Sequence, residues 1–135
     1  MIPFLNLRQL NSKYDTAFKN AYRDVLDSGY YILGKQVSLF EHNYASYCQV
    51  DHCIGTGNGL DALTLILKGY MSLGKLSKGD EVIVPSHTFV ATPEPIALLG
   101  ADIVFVDIDK YYHADVEAIE ELITDKTKAI LFVDI

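Results

Sequence analysis

Gly55-Thr56-Gly57-Asn58-Gly59 stands directly before an apolar run, Leu60 to Leu67. A strand, a glycine-rich turn and a helix start can present backbone N–H groups to an anion without any basic side chain. The N–H groups of Gly59, Leu60 and Asp61 are the ones this helix start would offer. The spacing is not G-x-G-x-x-G, because the third glycine comes one position early, and no Gly-Lys-Ser/Thr follows to make a Walker A loop. A tight turn in which Asn58 or Asp61 caps the helix explains the same residues equally well. Thr56 and Asn58 could donate side-chain hydrogen bonds at the same mouth, but neither has a recognisable partner base that would make it a nucleophile.

Pro85-Ser86-His87-Thr88-Phe89 follows a β-rich run, at the kind of carboxyl-end loop where open α/β sheets place ligands. Phe89 could stack on a flat ring, with His87 or Thr88 bonding a polar substituent. The competing reading packs Phe89 beneath the next helix and uses Ser86 or Thr88 as its cap. Adjacent Ser86-His87 does not make a hydrolase triad, because neighbouring positions do not bring a hydroxyl and a base into register. Asp107 and Asp109 read as turn residues rather than a catalytic pair, since nothing else supplies a metal shell. Tyr30 and Tyr31 could form a ligand wall, a subunit contact or ordinary aromatic packing. The scattered histidines and the two cysteines, Cys48 and Cys53, give neither a zinc set nor a disulfide framework. No metal is expected.

These loops need elements to position them. Ser12-Lys13-Tyr14-Asp15 resembles a capping box after a short extended opening, and Tyr14, Phe18, Ala21, Tyr22 and Val25 follow at helical spacing up to Ser28-Gly29. Tyr30 to Gly34 reads as an aromatic loop. A second helix begins near Lys35, with Val37, Phe40, Tyr44 and Tyr47 along one face. Cys53-Ile54 is a short strand candidate. The run from Leu60 reads as a helix with more than one buried face, ending around Tyr70 to Gly74, ahead of the turn Lys78-Gly79-Asp80. Three β-rich runs follow: Glu81–Val84, Ile103–Val106 and Ala129–Val133. Helical segments separate them at Ala91–Leu99 and Asp115–Ile123, with Pro93 and Pro95 tolerable in the opening turn of the first. This alternation predicts an α/β fold with parallel strands joined by helical crossovers and covered on both faces.

Half of the 135 residues are hydrophobic, with only nine glycines and four prolines, which excludes a disordered or collagen-like chain. Eleven Lys and Arg stand against 18 Asp and Glu, a net charge of −7, so no basic footprint exists for a nucleic-acid backbone. The opening residues, Met1 to Leu5, lack the charged and apolar regions of a signal peptide, and no apolar stretch reaches the roughly 20 residues that span a bilayer. A cytoplasmic chain is the expectation, without membrane or nucleic-acid partners. The last residues, Lys128 to Ile135, fall within a β-rich run, which predicts a fragment of a larger α/β domain.

An ordered set of motifs carries a resemblance. It comprises Pro3-Phe4-Leu5-Asn6-Leu7, Ser28-Gly29-Tyr30-Tyr31-Ile32-Leu33-Gly34 and Gly55-Thr56-Gly57-Asn58-Gly59-Leu60-Asp61-Ala62-Leu63. Further along stand Gly79-Asp80-Glu81-Val82-Ile83-Val84-Pro85, Thr88-Phe89-Val90-Ala91-Thr92, Gly100-Ala101 and Ile123-Thr124-Asp125-Lys126-Thr127-Lys128-Ala129-Ile130. Together they resemble the N-terminal part of the DegT/DnrJ/EryC1/StrS sugar aminotransferases. Val133-Asp134-Ile135 departs from the family, which commonly continues Val-His and a tyrosine-glycine turn; Pro93 and Pro95 are also unusual there.

The resemblance implies the three-layer, mainly parallel α/β architecture of fold-type I pyridoxal-phosphate (PLP) enzymes, truncated at the C-terminus. Residues 1–34 would form an N-terminal helix and active-site loop segment, and 35–135 a partial PLP-binding large domain. It implies a homodimeric transferase that moves an amino group from glutamate to a nucleotide-linked keto sugar. The Asn58–Leu63 form is similar to transaminases for dTDP-linked 3-keto-6-deoxyhexoses. Gly59, Leu60 and Asp61 are implied to hold the cofactor phosphate, Phe89 to pack on its ring, and Tyr30 and Tyr31 to lie near substrate or partner. The Schiff-base lysine is expected beyond Ile135, so this chain alone is expected to be inactive. A Rossmann-like nucleotide-sugar domain and a non-catalytic interaction fragment are the alternative readings.

Overall fold

The computed structural model describes residues 3–134, and the chain divides into two compact units, residues 1–55 and 56–135. Expectations that touch Met1, Ile2 or Ile135 lie outside the described residues.

Among the described residues, the first unit contains three helices. Helix α1, Leu7–Ser12, was expected to be extended; it forms because Asn6 caps it, its side-chain oxygen accepting the Gln9 N–H at 3.1 Å. The predicted capping box at Ser12 does not form. The Ser12 hydroxyl donates back to the Gln9 carbonyl at 2.8 Å, and α2 (Asp15–Ser28) starts without a side-chain cap. Gly29 stops α2 in the left-handed region at φ 68°, where a Cβ is disfavoured. Tyr30 to Gly34 is a loop, and α3 spans Lys35–Cys48. Cys53-Ile54 is not a strand. Among the described residues of this unit no β partner lies beside it, and the neighbouring Gly55 N–H instead donates to the Glu41 carboxylate at 2.8 Å.

The second unit is a three-layer α/β arrangement. Helix α4 (Gly59–Ser72) is followed by β1 (Glu81–Pro85), α5 (Glu94–Leu99), β2 (Asp102–Val106), α6 (Val116–Leu122) and β3 (Thr127–Ile130). All strand pairs in this sheet are parallel, in the order β2-β1-β3, so β1 is the central strand. Its period-two alternation divides the core. Val82 and Val84 face Leu67 of α4, Leu76 and Ile96 of α5, while Ile83 faces Val106, Ala114 and Ile119 of α6. Burial on both faces explains why Val82, Ile83 and Val84 are all apolar rather than alternating with polar residues.

Two expectations need correction. Helix α4 has only Leu67 buried, with Leu65 and Ile66 exposed, because only one side of that helix meets the three-stranded core of this unit. Strand β3 begins earlier and is shorter than Ala129–Val133. A register shift beside Glu81 and Val82 inserts Lys128 between the paired residues Thr127 and Ala129. The pairing continues one bond past the strand, from the Leu131 N–H to the Ile83 carbonyl. The prolines sit as expected: Pro93 is the N-cap of α5 and Pro95 lies in its first turn.

Candidate functional site

The start of α4 is built by one side chain. Asn58 has extended backbone, and its Oδ1 accepts the Asp61 N–H at 2.9 Å. Its Nδ2 donates to the Asp61 carboxylate at 3.0 Å, and the Thr56 hydroxyl donates to the Asn58 carbonyl at 3.1 Å. Thr56 and Asn58 therefore spend their side chains on the turn itself. The Asp61 N–H is committed to the cap, while the N–H groups of Gly59 and Leu60 have no acceptor among the described residues. A first turn normally leaves such donors for solvent or a ligand, and the partial positive charge of the helix end favours an anion.

The other wall comes from the loop beyond β1. Strand β1 ends at Pro85, and the Ser86 N–H still bonds to the Val106 carbonyl, so the loop leaves from the carboxyl edge of the central strand. Phe89 does not pack beneath α5; it is 75% exposed. Neither Ser86 nor Thr88 caps that helix: the Thr88 hydroxyl donates to the Thr92 hydroxyl at 2.8 Å. His87 lies against Tyr112, with ring centroids 5.6 Å apart.

The two walls face one another across an open cleft of about 820 Å³. Asn58, Gly59 and Leu60 line one side, and Phe89, Val90 and Ala91 line the other. Phe89, which stands 29 positions beyond Leu60 and 30 beyond Gly59, thus shares one cavity with both. Ala62, Leu63 and Glu94 complete the lining, so most of the wall is apolar and no lysine or arginine contributes. An anion here would be held by N–H groups, in keeping with the net charge of −7. Beyond its chain neighbours and its own helix backbone, a Cβ on Gly59 would meet nothing within 4 Å, so the space above that residue is open for a ligand atom.

The remaining candidates lie elsewhere. Tyr30 and Tyr31, in the first unit, are exposed beside a smaller cavity of about 290 Å³ that Ser28 and Lys35 also line. Asp107 and Asp109 serve their own turn: the Asp107 carboxylate accepts the Ile108 N–H, and that of Asp109 accepts those of Tyr111 and His113. Among the described residues, no group of three His, Cys, Asp or Glu side chains could hold a metal ion. Among the described residues, no helix is long and apolar enough to cross a membrane.

Comparison with known proteins places this geometry in a family. The chain is 50% identical over 134 residues to dTDP-3-amino-3,6-dideoxy-alpha-D-galactopyranose transaminase of Aneurinibacillus thermoaerophilus, covering 98% of this chain and 36% of that protein. It is 41% identical to the UDP-2-acetamido-2-deoxy-3-oxo-D-glucuronate aminotransferase of Pseudomonas aeruginosa, over 97% and 36% of the two chains. Its backbone matches that of S. venezuelae DesV, solved in complex with a ketimine intermediate, with a TM-score of 0.87 and 39% identity over 97% of this chain and 34% of DesV. The chain therefore spans about a third of the length of the relatives it matches. A model of one family covers residues 12–135, and the agreement in sequence and backbone runs along nearly all of the chain, so the chain belongs to the DegT/DnrJ/EryC1/StrS aminotransferase family.

Proposed function

We propose that the protein carrying this chain is a PLP-dependent aminotransferase that passes an amino group from glutamate to a nucleotide-linked keto sugar. The relative from A. thermoaerophilus, named as a dTDP-3-amino-3,6-dideoxyhexose transaminase, supports C3 of a dTDP-linked 6-deoxyhexose as the aminated position. One observation carries the reading: free N–H groups at a helix start and an exposed aromatic ring line the same cleft.

The residues fit a phosphorylated, flat heteroaromatic cofactor. Gly59 and Leu60 would hold the phosphate through their N–H groups, and Asp61 would contribute by keeping Asn58 in place as the cap. Phe89 would cover one face of the pyridine ring, while Leu63, Val90 and Ala91 would keep water from its edge. PLP supplies an electron sink for the bond-breaking at the amino-acid carbon. The protein's task is orientation and proton transfer, and the lysine for the latter is expected outside this chain.

Tyr30 and Tyr31 are proposed as substrate or partner contacts in a homodimer. A cytoplasmic location is supported by the free thiols of Cys48, which is exposed, and Cys53. The test is the complete protein. It should show a PLP-type absorbance that converts to the pyridoxamine form on adding glutamate, and a dTDP-linked 3-keto-6-deoxyhexose should reverse that change. Tight NAD binding without PLP uptake would replace this reading with the nucleotide-binding one.

A further inference from the structure

We infer that Thr88 and Thr92 form a positioning pair that fixes the aromatic wall of the cleft, an inference that rests on the PLP reading of that cleft. The Thr88 hydroxyl donates to the Thr92 hydroxyl at 2.8 Å, and the Thr92 N–H donates to the Phe89 carbonyl at 2.9 Å. The residues enclosed by these two bonds are Phe89, Val90 and Ala91, and all three line the cleft. The bond therefore closes a short loop whose contents are one wall of the site.

Packing does not hold Phe89, because three-quarters of its surface is exposed. Its backbone is anchored instead. Thr92 is 9% exposed, and its hydroxyl is satisfied by Thr88 rather than by solvent. A ring that must lie flat against a cofactor binds more tightly when its backbone is already ordered, since less conformational entropy is lost on binding. Neither threonine lines the cleft itself. It acts through the position of Phe89.

The experiment uses the complete protein and two readouts: the dissociation constant and induced circular dichroism of bound PLP, and the melting temperature of the PLP-free form. Thr92→Val keeps the shape and deletes the hydroxyl. It is expected to weaken PLP binding about fivefold, the value of one ordinary internal hydrogen bond, and to reduce the induced signal. Thr92→Ser should bind PLP as the wild type does. Thr88→Val, at the half-buried end of the same bond, should match Thr92→Val, and the double variant should be no worse than either single one. Thr88→Val also supplies the reading if Thr92→Val does not fold. Unchanged PLP affinity and dichroism in the valine variants, with only a lower melting temperature, would overturn the inference. So would a serine variant as impaired as the valine one. If the wild type takes up no PLP, the cofactor reading fails and takes the pair with it. Normal uptake with unaffected variants overturns the pair alone.

Discussion

Asn58 and Asp61 are joined twice, by the Asp61 N–H donating to the Asn58 Oδ1 at 2.9 Å and by the Asn58 Nδ2 donating to the Asp61 carboxylate at 3.0 Å. The first bond is an N-cap, and the second restrains the side chain that makes it. Asn58→Ala should lower the unfolding free energy of the complete protein by about 1 kcal/mol, the usual value of a cap. Asn58→Asp keeps the acceptor but sets two carboxylates side by side. Although Asp is as good a cap in general, it should also destabilise here, and the deficit should shrink as salt screens the repulsion. Urea titrations at low and high salt separate the two effects. An aspartate variant as stable as the wild type at low salt would show that the second bond constrains nothing.

Gly59 is not a conformational glycine, since it lies within α4 and an added Cβ would meet nothing within 4 Å beyond its chain neighbours and its own helix backbone. Gly59→Ala should therefore leave the melting temperature unchanged or raise it slightly, because alanine is the better helix former. The added methyl enters the space proposed for the cofactor phosphate, so PLP affinity should fall at least tenfold. Loss of both properties together would place the glycine in the fold rather than in the site.

Phe89→Ala separates binding from folding in the same way. Sequence left open whether this ring was core or cleft, and full burial would have made its removal cost several kcal/mol. At 75% exposure the stability cost should stay within about 0.5 kcal/mol, as for other surface positions. The absorbance and affinity of bound PLP should change instead. A large fall in melting temperature with a normal cofactor spectrum would mean that the ring packs inward.

The pattern that made Phe89 ambiguous also marks the limits of what the sequence displays. The apolar runs of β1 and β2 and the stop at Gly29 were legible, because strand burial and left-handed caps depend on local residue types. Helix α1 was legible in principle: Asn6 and Gln9 have the spacing of a capping pair, and the Asn6 Nδ2 also reaches the Gln9 Oε1 at 3.4 Å. The Ser12–Asp15 pair offered the same signal and was a decoy. Gly59 and Leu60 could be picked out as anion donors, but the commitment of the Asp61 N–H to Asn58 depends on a rotamer. The Thr88–Thr92 bond was invisible, since it joins residues four apart across an irregular turn where no periodicity applies.

The register shift between β1 and β3 provides another test. Glu81 accepts hydrogen bonds from the Thr124 hydroxyl at 2.6 Å and the Thr127 hydroxyl at 3.1 Å, both through Oε2, next to the extra residue Lys128. One carboxylate oxygen thus gathers the start of β3. Glu81→Ala should cost about 1–2 kcal/mol, in the range for hydrogen bonds to a charged group near a surface. Amide exchange should accelerate at Thr127 to Ile130 more than in β2. Uniform acceleration across the sheet would show that Glu81 acts on the whole sheet rather than on β3.

The 135-residue chain made by itself should be catalytically inert and should self-associate. The cleft provides N–H groups and a ring, but transamination also needs a covalent anchor for the cofactor and a group that moves protons, roles that Gly59, Leu60 and Phe89 cannot fill. Folding presents the earlier obstacle. Central strand β1 is buried from Val82 to Pro85, yet Phe105 on β2 is exposed, Leu98 on α5 is 69% exposed, and Phe132 beyond β3 is 63% exposed. In the first unit, α2 buries none of its residues. Among the described residues, strand β3 also has no neighbour on the side away from β1, which leaves backbone groups there for pairing. At about 25 cal/mol per Å², a few hundred Å² of uncovered apolar surface represents several kcal/mol, comparable with the whole stability of a domain. Such surface favours association between copies over a unique monomer. Sedimentation velocity should detect oligomers that grow with concentration, and near-ultraviolet circular dichroism should be weak. A soluble monomer with a sharp cooperative melt would overturn the folding argument. Turnover of PLP to its aminated form by the pure chain would overturn the proposal that the catalytic lysine lies outside it.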